Sequence, residues 1–215
     1  IKSENYPRLQ CDVAPLKGNL PPIKGLKPVE GFENFLVRKL YTYNAASAAI
    51  SYLGWLKGYK FYSDAANDND ILLLLNELYA EVGKALCMAH GYTEEDQTEF
   101  AELSLKKFRD STIADSIERN AREPNRKLAF NERIIGPARL IQEYGGNTRP
   151  LEITAAAALL YDDPDDKVWT GLKENLSPEN ILEQISNLDK TSLMVKRIME
   201  CYKKLKEGGF GGYEK

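Results

Sequence analysis

The sequence predicts an all-α fold, a multi-helical bundle behind an extended N-terminal arm. Three observations predict it. Apolar residues recur at three- and four-residue steps over long segments. Those segments open on Ser, Thr or Asp and close on Gly. No run alternates with period two for long. Residues 1–29 carry Pro7, Pro15, Gly18, Pro21, Pro22, Gly25 and Pro28, which no helix sustains, so they read as an arm or linker. Within it, Leu9 to Val13 suits a short strand. From Glu30 the period changes. Phe32, Phe35, Leu36, Leu40, Tyr43, Ser47 and Ile50 share one helical side, predicting a long helix from Val29 to Lys57, ended by Gly58. A second helix spans 70–89 and stops at Gly91. A third opens on Thr93, whose side-chain oxygen can accept a free amide, and runs to about Arg109. Residues 110–133 read as short turns broken at Pro124. Helices follow at 134–144, 151–161 and 168–172. Ser177-Pro178, a cap residue before a first-turn proline, opens 179–188. The last helix is 191–206. The division is arm 1–29, helical domain 30–207 and a flexible glycine-rich tail 208–215. An α-solenoid would need a repeat, and no period supports one.

The chain has 215 residues, 43% of them hydrophobic, which is enough for one sizeable core. Its formal net charge is −3. That excludes a global basic field for nucleic acid or anionic membrane, so neither is an expected partner. The longest apolar runs, such as Ala155 to Tyr161, fall far short of the roughly 20 residues of a membrane-spanning helix. Cys11, Cys87 and Cys201 are too few and too far apart for a disulfide framework and suit a reducing cytosol, so the expected location is cytoplasmic. The chain opens on Ile1 and reads as a piece of a longer polypeptide or a processed product.

Four stretches could carry chemistry. Gly208 to Gly212 is glycine-rich, but a phosphate-binding loop needs a strand before it and a helix after it, and here a helix precedes. Cys87 and His90 share a helix face, but nothing supplies two more ligands, so no metal is expected. On the first long helix, at 100° per residue, Tyr43 stands about 40°, Ser47 about 80° and Asn44 about 140° round from Lys39. The four can line one broad side of a groove. A desolvated lysine there can serve as a base. On spacing alone, a solvated Lys39 beside Arg38 is the simpler reading. Arg126, Lys127 and Arg133 suit capture of phosphate or carboxylate, or pairing with Glu118, Glu123 or Glu132.

The order of these signals resembles one family. It runs from Leu16-Lys17-Gly18-Asn19-Leu20-Pro21 through Arg38-Lys39-Leu40-Tyr41-Thr42-Tyr43-Asn44 and Tyr52-Leu53-Gly54. It continues through Arg126-Lys127-Leu128 with Arg133 and Ala155-Ala156-Ala157, and ends near Gln184 to Asp189. The chain resembles the C-terminal domain of the polyol-specific long-chain dehydrogenases. These include mannitol-1-phosphate 5-dehydrogenases, to which the likeness is strongest, mannitol 2-dehydrogenases and hexuronate reductases.

The resemblance implies a helical bundle like the C-terminal domain of 6-phosphogluconate dehydrogenase. It implies NAD or NADP, bound by an N-terminal Rossmann domain of the same polypeptide, and no catalytic metal. It implies a polyol, ketose or sugar-phosphate substrate, such as the mannitol 1-phosphate and fructose 6-phosphate pair or a hexuronate pair. In the family signature Lys-x4-Asn-x2-His, Lys39 is the implied base and Asn44 the implied donor to the reacting oxygen. Ser47 stands where the family has histidine. Tyr43, Arg126 and Arg133 are the implied substrate-binding residues, and Gly136 stands where a lysine is frequent. The expectation is half of a dehydrogenase, inactive alone. The alternative, raised by Ser47, is a non-catalytic member serving as a binding or regulatory module.

Overall fold

The structure, a computed structural model, describes residues 9–18, 21–112 and 114–211. Expectations for residues 1–8, for Asn19 and Leu20, and for the last four residues of the tail lie outside them. The arm is not wholly irregular. β1 (Leu9–Asp12) pairs in parallel with β2 (Leu26–Val29), with Leu9 opposite Leu26 and Asp12 opposite Val29. The strand foreseen at Leu9 is therefore present, but its partner was read as linker. β2 also takes the start of the expected first helix, so α1 (Phe32–Lys39) begins three residues late, behind Gly31 at φ 60°.

Helix then continues without a break through a π-turn (Leu40–Asn44) into α2 (Ala45–Leu56). α3 (Tyr62–Ala66) has only five residues, too few to show a period, and was missed. α4 (Asn69–His90) and α5 (Glu94–Phe108) match the expected second and third helices. Asp68 caps α4 by accepting from the amides of Asp70 (3.0 Å) and Ile71 (3.1 Å), and Gly91 closes it at φ 73°. Thr93 caps α5 through the Asp96 amide at 3.2 Å. The choppy region holds α6 (Ile117–Ala121) and α7 (Pro124–Lys127). Beyond it come α8 (Ile135–Glu143), α9 (Arg149–Leu160), α10 (Lys167–Asn175), α11 (Pro178–Ser186) and α12 (Leu193–Gly208). The glycine stretch read as a loose tail thus begins inside α12, and its Phe210 is buried against the core.

The core is built around two alanine-rich helices. Ala45, Ala46 and Ala49 of α2 and Ala155 to Ala158 of α9 have no exposed surface. Small side chains let helix backbones approach closely. α2 is consequently enclosed by α3, α4, α6 and α9, and α9 by α2 and α12. Gly54 marks the tightest approach. A methyl group there would lie 2.7 Å from Ala65 Cβ and 2.8 Å from Ile117 Cδ1. α2, which carries Ser47 and follows directly on Lys39 and Asn44, is therefore the buried axis of the domain. No helix among the described residues is long and apolar enough to cross a membrane.

Candidate functional site

The π-turn decides how the signature residues face. The Ala45 amide donates to the Leu40 carbonyl five residues back, so one turn holds an extra residue. In a plain α-helix Lys39 and Asn44 would stand about 140° apart. With the extra residue they stand as i and i+4 do otherwise, about 40° apart. Ser47 falls three residues later, about 20° to the other side of Lys39. The broad side expected from uniform 100° steps thus narrows to a stripe about 60° wide. Lys39 is exposed at the end of α1, while Asn44 and Ser47 are half-buried.

Neighbouring side chains fix the ends of this stripe. Arg38 points inward, 7% exposed, and Lys39 points outward. The two cations that sequence reasoning placed side by side are separated by the helix. Tyr43 lies with its ring 4.8 Å from Phe100 and 6.1 Å from Phe108 of α5, centroid to centroid. Beside Ser47 lies the buried Tyr62 phenol. Burial pushes its pKa well up, against the pull of Ser47, so this hydroxyl stays protonated.

Arg126 and Arg133 gather at a different point. Glu132 joins them, 3.2 Å from Arg133 Nε and 3.9 Å from Arg126. Arg126 also holds Glu123 with two bonds of 2.7 and 3.0 Å. The pairing with Glu123 and Glu132 weighed from composition is therefore present. Between the arginines sits Lys127, 5% exposed. Its Nζ donates to the Asn120 carbonyl and lies 5.4 Å from the centre of the Tyr52 ring. Burial first, then Arg133 and Arg126, pull the Lys127 pKa down to about 7. The desolvated lysine is thus Lys127, not Lys39. The run Arg126-Lys127-Leu128 marked the place, but not which cation would be buried.

Tyr52 is 13 residues after Lys39, about 20 Å of helix rise. Tyr41 of the π-turn meets α8 at Gly136. A methyl group at 136 would lie 2.6 Å from the Tyr41 hydroxyl oxygen. Tyr41, Gly136 and Arg139 open into a cleft of about 590 Å³ whose far wall includes Asp189 and Ser192. The space beside Gly136 is thus taken by a phenol. Burial raises the Tyr41 pKa, opposed by Arg139.

The sequence model of the mannitol dehydrogenase C-terminal domain matches residues 31–206. The chain belongs to that family. A mannitol-1-phosphate 5-dehydrogenase of Thermoanaerobacter pseudethanolicus is 33% identical over 189 residues, covering 86% of this chain and 48% of the relative. One from Oceanobacillus iheyensis is 32% identical over 204 residues, covering 93% and 53%. The chain spans about half the length of the curated relatives it matches. Among solved structures, a Pseudomonas fluorescens mannitol 2-dehydrogenase in ternary complex with NAD and D-mannitol shares the fold. It has 21% identity and a TM-score of 0.68, over 86% of this chain and 41% of that one. A D-sorbitol dehydrogenase in substrate-free form gives 19% and 0.64.

A dinucleotide needs a strand, a glycine-rich turn and a following helix. Among the described residues, the glycines of 208–211 follow a helix, and the sheet has only two strands. The described residues therefore do not show that strand–turn–helix pattern. Nor do they gather three or more His, Cys, Asp or Glu side chains as a metal site.

Proposed function

We propose that this chain is the substrate-binding and base-carrying half of an NAD(P)-dependent polyol or sugar-phosphate dehydrogenase. The observation that carries this reading is the π-turn, which aligns Lys39, Asn44 and Ser47 on one stripe. The uncovered half of its relatives' length is where we place the Rossmann domain. The nicotinamide it would hold supplies the hydride acceptor. The residues of this chain do the rest. Lys39 takes the hydroxyl proton as the carbinol becomes a carbonyl. The Asn44 amide and the Ser47 hydroxyl donate to the oxygen and stabilise its developing negative charge. Tyr43 supports the stripe from the α5 side. Arg126 and Arg133 would receive a substrate phosphate or carboxylate by exchanging their hold on Glu132 and Glu123.

The relatives named mannitol-1-phosphate 5-dehydrogenase support the mannitol 1-phosphate and fructose 6-phosphate pair as the first to test. A cytoplasmic place and inactivity of the 215 residues alone go with this reading. The phenol at Gly136 and Ser47 in place of histidine favour a second reading, a member that binds ligand without turnover. The test is reduction of fructose 6-phosphate, fructose and fructuronate by the whole polypeptide, followed as loss of reduced nicotinamide. Turnover with one ketose, abolished by Lys39→Ala, is expected. A Lys39→Ala enzyme with wild-type kcat overturns the mechanism. No turnover, with thermal stabilisation by a sugar phosphate, selects the second reading.

A further inference from the structure

Resting on that reading, we propose that Gln97 of α5 is a positioning residue that holds the π-turn, and with it Lys39 and Asn44, in working register. The Gln97 side chain is 3% exposed and bridges both sides of Lys39. Its Oε1 accepts from Arg38 Nε at 2.7 Å, and its Nε2 donates to Thr42 Oγ1 at 3.0 Å. Arg38 is bound further by the Asp96 carbonyl at 2.7 Å and the Asp96 carboxylate at 2.8 Å. The guanidinium lies over Tyr92 and Phe100, 4.4 and 4.2 Å from the ring centres. Thr42 is fully buried within the π-turn itself.

Such a chain is costly. A buried guanidinium and two buried polar side chains are no more stabilising than apolar packing of the same volume. What they supply is uniqueness of arrangement. The π-turn needs it, because a helix carrying one extra residue can relax by passing that residue along. On the downstream side, the fully buried alanines of α2 fix the helix phase. Upstream, α1 is held to the bundle by Arg38, by the ring of Phe35 against Phe100 and by Val37 against the core, and of these only Arg38 is tied by hydrogen bonds to α5. Gln97 ties that upstream anchor to Thr42, so the extra residue stays between Leu40 and Ala45.

The experiment compares Gln97→Met, which keeps the shape and loses both bonds, with Gln97→Glu. A glutamate can accept from Arg38 and from the Thr42 hydroxyl, so it restores the bridge. In the whole polypeptide, Gln97→Met should lower kcat about ten- to hundredfold with KM within about twofold, the effect of a misplaced base. Gln97→Glu should recover most of it. Amide exchange on this chain provides a readout independent of turnover. Gln97→Met should speed exchange of the 42–45 amides about tenfold, by freeing the turn locally, and leave α9 unchanged. Wild-type kcat in Gln97→Met, or unchanged exchange at 42–45, overturns the proposal. An inactive wild-type polypeptide would refute the dehydrogenase reading instead, and the exchange measurement would still decide the role of Gln97 in holding the turn.

Discussion

Lys127 makes the stability of this domain depend on alkaline pH, with a sign that can be worked out. In the unfolded chain its amine has the ordinary value near 10.5, and in the fold about 7. Between these limits the unfolded state binds a proton that the folded state does not, so unfolding free energy rises with pH. Below about pH 7 both states are protonated and the full penalty of a buried ammonium is present. Linkage of these two values gives a difference between pH 6 and pH 9 of about 2–3 kcal/mol. Lys127→Met removes it. Urea unfolding of wild type and Lys127→Met at pH 6, 7, 8 and 9 checks the magnitude. The variant should gain about 2–3 kcal/mol on wild type at pH 6 relative to pH 9. Loss of the Asn120 partner shifts all points together and leaves this difference intact. Parallel pH profiles would refute the reasoning, because they would mean that Lys127 stays charged in the fold.

Two glycines give opposite expectations. Gly54→Ala forces a methyl into Ala65 and Ile117, both buried, and should cost about 1–3 kcal/mol in a denaturant titration. Gly136→Ala meets only the tip of Tyr41, which can swing into the cleft. It should cost under about 1 kcal/mol while changing substrate or ligand affinity. Asp68 caps α4 and pairs with Lys57 at 2.7 Å. Burial opposes its charge, but Lys57, the Ile71 amide and Tyr59 outweigh it and hold the carboxyl below its usual range. Asp68→Ala should therefore lower Tm at pH 7 by the equivalent of about 1–2 kcal/mol, and the gap should close as acid protonates the wild-type side chain. Lys39→Ala, at an exposed position, should leave Tm within a degree or two of wild type while removing the proposed base.

Much of the fold was legible because its signals are local. Thr93, Ser177 and Gly91 act within one turn of themselves, and the long apolar stripes carry their own period. What stayed hidden depends on residues far apart in sequence. Arg38 is buried because Asp96, Gln97, Tyr92 and Phe100 close over it, and nothing near position 38 announces them. Lys127 has its pKa lowered because burial and two arginines act on it together. β2 became a strand only by lying beside β1. At the site, Lys39, Asn44 and Ser47 could be named from their resemblance to a family signature. Their alignment could not, because a period of 3.6 residues assumes that no residue is inserted, and the π-turn inserts one.

That insertion constrains how this segment can change over evolutionary time. Deleting any one residue from 40–44 would restore an ordinary helix, and such a helix is the more comfortable backbone. It would also turn everything upstream by about 100°. Arg38 would leave its aromatic seat and Lys39 would no longer stand over Asn44. Substitutions here can be gradual, but changes of length cannot. Descendants of this chain are free to retune the site's chemistry and are not free to shorten the helix that carries it.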